Sequence, residues 1–268
     1  MIRQILAFLK KDLLIESSYP LSFFFDIFSV LTSVVSYFFI DKLFGGRMAP
    51  QLEEFGVNYF SYVLLASAFF SYVGMGLGSF AGQLRQEQLQ GTLEAVIAAP
   101  TRTAVFLFSM AAWNVLLATI KLLVFIIVGI SCFRIDFSRA NVFSCLAVLV
   151  LAVTSFSALG ILSASFVLVT KRGNPLSWLI SSAEGLLGGV YFPVTVLPAW
   201  LAFFSRLLPI TYAIRAIQYA CFRGSSITEL LPQLVPLLIF AVVLLPVSVK
   251  VFSLALCRAR ANGTLAQF

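Results

Sequence analysis

The sequence predicts an all-α polytopic membrane protein with six transmembrane helices, and two features carry that expectation. Across 268 residues, 60% are hydrophobic and only 11% are charged, with a mean hydropathy of +1.01. The apolar residues also gather into six stretches of about 20 residues, the length a helix needs to cross ~30 Å of hydrocarbon. No polar region is long enough for a separate soluble domain, so residues 1–268 read as one membrane domain. The net charge of +7 lies mainly at the ends of the apolar stretches, where lysine and arginine meet headgroups, and is no nucleic-acid signature. Cys132, Cys145, Cys221 and Cys257 have neither CxxC nor metal-ligand spacing and read as small apolar packing residues. With no histidine in the chain, histidine metal sites and histidine bases are excluded.

Residues 1–18 place Ile2, Ile5, Leu6, Leu9 and Leu13 at steps of three and four, apart from Arg3, Lys10, Lys11 and Asp12. The pattern predicts an amphipathic interfacial helix, too interrupted to span. Pro20 opens a first span over 21–40, followed by a polar loop from Asp41 to Glu54. The second span, 58–80, carries Gly74 and Gly78, then Gly82 just beyond it, at intervals of four, with Gly76 between. Such a stripe lets another helix approach closely. Packing within one subunit and a surface lining a dimer or a conduit are both open readings. The third and fourth spans cover 103–133 and 142–169. A basic turn from Lys171 to Pro175 precedes a short fifth span, 176–192. Pro193, Pro198 and Pro209 break the stretch 193–231, which reads as re-entrant or surface helices on the outer face. The last span covers 234–256. An even number of spans puts both termini on one side, and the lysine and arginine bias toward that side predicts cytoplasmic termini.

Between the second and third spans runs QLRQEQLQGTLEAVIAAPTR, Gln83 to Arg102, the longest polar and charged run between two apolar segments. Leu89, Leu93, Val96 and Ile97 recur at helical spacing, and Pro100 limits the helix. An amphipathic helix at the cytosolic surface offers a lever to a soluble partner. The run from Glu87 to Pro100, with GTLE at Gly91–Glu94, resembles the coupling-helix region of ABC-2-type transporter permeases, the membrane subunits of ATP-driven exporters. GLLGGVYFPVTVLPAWLAFFSRLLPITYAIRAI, Gly185 to Ile217, resembles that family's hallmark around the fifth span and the outer loop after it. Together they anchor a resemblance over nearly the whole chain. It implies that 83–100 is a coupling helix and that Glu87, Gly91, Thr92, Leu93 and Glu94 contact an ABC ATPase subunit. It further implies two permeases working with two ATPases, ATP and Mg held by the partner and no cofactor in this chain. The expected location is a prokaryotic inner or plasma membrane.

Three charges fall inside the spans: Asp26, Lys121 and Glu184. Each costs about 2.5–3.5 kcal/mol at mid-bilayer and should therefore face protein or water. Asp26 is near enough to the start of its span to reach the interface, and Lys121 lies in a span long enough for it to snorkel. Glu184 is nine residues from both Pro175 and Pro193, roughly 14 Å from either end. Together with Gly185, Gly188, Gly189, Gly74 and Gly78, it is a candidate for the dimer interface or translocation route, with Lys121 as a candidate partner. No GxxxxGK[ST] loop, HExxH or nucleophile elbow occurs, so no catalytic residue is assigned. The 28 phenylalanines and the glycine-lined second span suit an amphiphilic cargo such as a lipid, a hydrophobic drug or a lipid-linked glycan. The competing class is an ion-coupled secondary transporter or channel using Asp26, Lys121 and Glu184 as a relay. Inverted repeats would favour it, and the two halves show none.

Overall fold

A computed structural model describes residues 9–11, 13–14, 17–18, 20–43, 52–89, 103–170 and 175–261. Every regular element among them is helical. Helix α1 spans Pro20–Leu43, α2 Tyr59–Leu89, α3 Thr103–Phe133, α4 Val142–Thr170 and α5 Pro175–Leu187. A 3₁₀ turn at Val194–Val196 leads to α6, Ala199–Ser205, and α7, Pro209–Gln218, which runs into a π turn at Tyr219–Arg223. The long α8 covers Ile227–Ala261. Four segments are long and apolar enough to cross a membrane: Tyr59–Arg85, Ala111–Phe133, Val142–Leu168 and Ile227–Ala259. A fifth is added if Ala199–Ser205 and Pro209–Arg223, bent by 88°, count as one broken span.

Helix ends are set by side chains that satisfy the orphan N–H groups of a first turn. Asn58 caps α2 by accepting from the Ser61 N–H at 3.2 Å, and the buried Asp41 carboxylate accepts from the Phe60 N–H at 3.2 Å. A negative group there also suits the helix dipole. Asp41, in the last turn of α1, thus ties that helix to the start of α2, where a loop is expected from sequence. Phe38, Phe60 and Phe133 join α1, α2 and α3 beside this cap, with ring centroids 4.8–5.8 Å apart. At α4, Asn141 accepts from the Ser144 N–H at 3.2 Å. At α8, the Ser226 N–H reaches the Glu229 carboxylate at 3.3 Å, half of a capping box. That cap starts α8 at Ile227 rather than Leu234, so the first turn of the last helix takes the end of the stretch expected to be re-entrant.

Two other boundaries differ from expectation. The fifth span, expected to Phe192, stops as a helix at Leu187. The chain then turns at Gly189, whose φ of +83° is open to glycine and costly for other residues. The second span does not stop at Phe80: α2 continues to Leu89 as one 31-residue helix, about 46 Å long at 1.5 Å per residue. The first part of the predicted surface lever is therefore its extension. Residues 90–102 and most of 1–18 lie outside the described set.

Packing centres on α4, which lies against α2 on one side and α8 on the other; α3 packs on α2. Gly160 of α4 sits so near α2 that a Cβ there would lie 2.2 Å from the Gly76 carbonyl oxygen. The core beside it includes Phe69, Phe156, Ile210, Ile214 and Leu237. A second cluster, Phe80, Leu84, Ile161 and Phe252, continues toward the Leu89 end of α2. Where α4 meets α8, the Ser155 hydroxyl donates to the carbonyls of Leu151 at 2.9 Å and Leu237 at 3.1 Å. Gly160→Ala should force α2 and α4 apart and cost about 1–3 kcal/mol. Gly82→Ala, which meets nothing within 4 Å, should leave the fold intact or gain from better helix propensity. Thermal unfolding of the two variants in detergent checks the contrast.

Candidate functional site

Helix α2 carries the first part of the site. At ~100° per residue, Gly74, Gly78 and Gly82 fall within an arc of about 80°, and Gly76 lies roughly 120–160° away from each. The structure separates them accordingly. Gly76 faces α4, where an added Cβ would touch Phe156 and Ser157 at 3.7 Å. Gly74, Gly78 and Gly82 meet nothing within 4 Å among the described residues, and Gly78 and Gly82 are exposed. Packing within one chain therefore uses Gly76 alone of these four, and the sequence-marked stripe is an open face. At the base of the lever, the Gln83 side-chain amide donates to the Asn114 side-chain oxygen at 3.3 Å, joining α2 to α3. The backbone at Glu87 is helical, while its side chain, and Gly91, Thr92, Leu93 and Glu94 entirely, lie outside the described residues.

The second part is the broken segment from Gly188 to Arg223. Its turns bring its own hydroxyls to backbone carbonyls that would otherwise lack a partner. The Ser205 hydroxyl donates to the Leu187 carbonyl at 2.7 Å, and the Thr211 hydroxyl to the Ser205 carbonyl at 2.7 Å. From α2, the Tyr62 hydroxyl donates to the Gly189 carbonyl at 2.7 Å. Gly188 leaves room for α7: a Cβ there would lie 2.3 Å from Ile210 Cγ2. Between these elements lies a cavity of about 620 Å³, with Tyr62, Val194, Arg206, Ile214, Arg215 and Gln218 in its wall.

Glu184 sits beneath this segment on α5. It is 1% exposed, and neither carboxyl oxygen has a hydrogen-bond partner among the described residues. Lys121 thus does not bond it. Gly185, Gly188 and Gly189 are also buried, Gly185 beside Phe70 of α2. Of the candidates for an interface or route, Gly74 and Gly78 are therefore outside the protomer, and Glu184, Gly185, Gly188 and Gly189 are inside it. The side chain of Asp26 is not among those described.

A clasp closes the rim of the cavity. Arg215 of α7 donates to Glu54 at 2.9 Å, and the Tyr219 hydroxyl donates to the same oxygen. The guanidinium groups of Arg215 and Arg223 lie 5.9 Å and 5.6 Å from the Tyr219 ring centroid. Sequence reading placed Glu54 in a polar loop without a partner; residues 161 positions apart carry no pattern that would pair them.

Partial burial works against a charge on Glu54, but the bonds from Tyr219 and Arg215 outweigh it and hold the carboxyl below its ordinary range. A carboxyl that titrates lower folded than unfolded stabilises the fold above the unfolded value, about 4.3. That contribution is lost as pH falls through the lower folded value. Both partners are more than a third exposed on their side chains, so the effect is small, under about 1 kcal/mol. Thermal midpoints measured in detergent across the acid range should fall more steeply for the natural chain than for Glu54→Gln. Identical slopes would show that the clasp contributes nothing.

Comparison with known proteins places this geometry. Residues 3–222 match the family described as ABC-2 type transporter. The chain is 23% identical over 213 residues to the inner membrane transport permease YadH of Escherichia coli (strain K12), covering 80% of this chain and 81% of the relative. The YadH permease of Shigella flexneri matches with the same figures. A family match over most of the chain and a bundle of membrane-length helices agree with each other, and this chain belongs to the ABC-2 type transporter family, as a transporter's membrane subunit.

Proposed function

We propose that the chain is the permease of an ATP-driven exporter that moves an amphiphilic substrate, such as a lipid, a hydrophobic drug or a lipid-linked glycan, out of the cytoplasm. It crosses a prokaryotic inner membrane six times, through α1, α2, α3, α4, the short α5 and α8, with both termini in the cytosol. The segment from Gly188 to Arg223 then lies on the outer side as a re-entrant element. The Escherichia coli relative is named as an inner membrane transport permease, which supports the location. A separate ABC ATPase supplies ATP hydrolysis and holds ATP and Mg. It docks on the coupling helix, 83–100, at Glu87, Gly91, Thr92, Leu93 and Glu94. Two copies of this chain work with two ATPases.

The observation that carries this reading is the continuity of α2. One unbroken helix holds the open glycine face at mid-height and runs into the lever at its end. A push delivered at the lever therefore moves that face as a rigid rod does. An open Gly74–Gly78–Gly82 surface suits close approach by a second copy or by cargo. Glu184, Gly185, Gly188 and Gly189 come to line the route when the re-entrant element lifts from α2. Support for that step comes from the unpartnered Glu184 carboxyl and the few polar latches above it.

The test is ATP hydrolysis and substrate export by the permease with its co-purified ATPase in liposomes. Glu94→Arg should lower hydrolysis coupled to export by about 5- to 150-fold, the range of 1–3 kcal/mol of coupling between sites. Gly78→Leu should leave thermal stability unchanged and reduce export. A fully active Glu94→Arg complex would remove the placement of the ATPase contact. The unpartnered Glu184 also favours a second reading, ion-coupled transport through Asp26, Lys121 and Glu184. Export that persists without ATP and follows an ion gradient, with loss in Glu184→Gln, would establish it in place of the first.

A further inference from the structure

Cys145 lies near the start of α4 and Cys221 in the π turn, 76 positions later, and their sulfurs are 3.4 Å apart as free thiols. Nothing in their spacing marks them as a pair. Four independent contacts hold them together. The Asn141 N–H donates to the Ala220 carbonyl at 2.9 Å, and the Ser144 hydroxyl donates to the Ser225 carbonyl at 2.8 Å. The rings of Phe137 and Phe222 stack with centroids 5.7 Å apart. Gly224, with φ +68°, sits so near the Arg139 carbonyl oxygen that a Cβ would lie 2.3 Å from it. This frame surrounds the thiols on both chain segments and keeps them in reach of each other. Closing 3.4 Å to a disulfide length of about 2 Å asks for an approach of roughly 1.4 Å.

We infer that Cys145 and Cys221 form a modification site, a thiol pair that a disulfide oxidant converts into a bond fastening the broken segment to α4. Cys145 is half-buried and Cys221 buried, so Cys145 is the attacking thiol and Cys221 the resolving one. The Cys145 thiolate attacks one sulfur of the oxidant, RSSR, and releases one RSH with the thiol's proton. The Cys221 thiolate then attacks Cys145 Sγ in that mixed disulfide and releases the second RSH. The two cysteines lose two hydrogens and two electrons, and the oxidant gains them. The bond would hold the π turn, and through it α7, against α4, adding a covalent stop to the element proposed to lift. An oxidising surrounding for this end of α4 rests on the outward placement proposed above; the pairing does not.

The test uses the full-length chain carrying Cys132→Ala and Cys257→Ala, solubilised in detergent and exposed to oxidised glutathione. After denaturation, a polyethylene-glycol maleimide counts free thiols by gel shift. Reduced beforehand and freed of reductant, the chain should accept two labels, and after oxidation none, with a monomer mass two hydrogens lighter and both labels restored by reductant. Adding Cys145→Ser or Cys221→Ser should leave one thiol that forms no internal bond. Two accessible labels after oxidation of the folded chain would overturn the proposal, as would a bond joining two chains. A parallel sample, alkylated in isolated membranes without added oxidant, separates the two readings. A bond already closed there supports both the pair and the outward placement. A pair that is reduced in membranes and closes on adding oxidant supports the pair and counts against the outward placement.

Discussion

Gly160 seated against the Gly76 carbonyl is the contact on which the rest of the arrangement depends. Two helices cannot come this close unless one presents no side chain, and α4 presents none there. With α2 and α4 fixed face to face, α8 finds its place on the other side of α4, and α7 packs against α4, α8 and α2. The same contact settles which way α2 is turned about its axis. Gly76 points inward, so Gly74, Gly78 and Gly82 have to point away. Inside a membrane, where apolar burial gives little drive for one helix to join another, close backbone approach of this kind is a principal source of helix–helix attraction.

Hydropathy and the spacing of prolines and glycines made the membrane class, the long apolar helices and the broken segment after α5 legible in the sequence. They located the elements to within a few residues, except where a side chain or a turn moved an end. Ser226 and Glu229 start α8 early, and that Ser-x-x-Glu spacing is a signature that could have been found. The extension of α2 past Phe80 was harder to see, because polar Gln83, Arg85 and Gln86 look like a surface loop whether or not the helix continues. A stripe of glycines tells where close approach is allowed, and it does not tell what approaches. The split between Gly76 and its three neighbours is a fact of three dimensions, as are the Glu54–Arg215 clasp and the Cys145–Cys221 pair.

The broken segment shares the apolar packing of the bundle and adds polar latches to it. The α2–α4–α8 seam is continuous apolar packing with tight backbone contact. Ile210, Ile214 and Ile217 of α7 join that same apolar core, and the segment adds a handful of hydroxyl-to-carbonyl bonds, the Gly188–Ile210 contact and a half-exposed clasp. A typical hydrogen bond contributes about 0.5–1.5 kcal/mol net, so no single latch decides whether the segment stays down. Lifting it would break several at once and open the α7 side of the shared core as well. On the proposed reading the Glu184 carboxyl beneath would gain from such a movement, because a buried polar group without a partner is costly and a raised state would offer it water or cargo. On the proposed reading, work delivered through α2 therefore meets a segment whose lowered state already carries an unsatisfied group. Tyr62 hands that work on, because it rides on α2 and bonds the Gly189 carbonyl at the hinge of the segment. A shift of α2 by even a fraction of a turn must either carry Gly189 with it or break that bond, so on the proposed reading moving the rod without the segment costs about 0.5–1.5 kcal/mol.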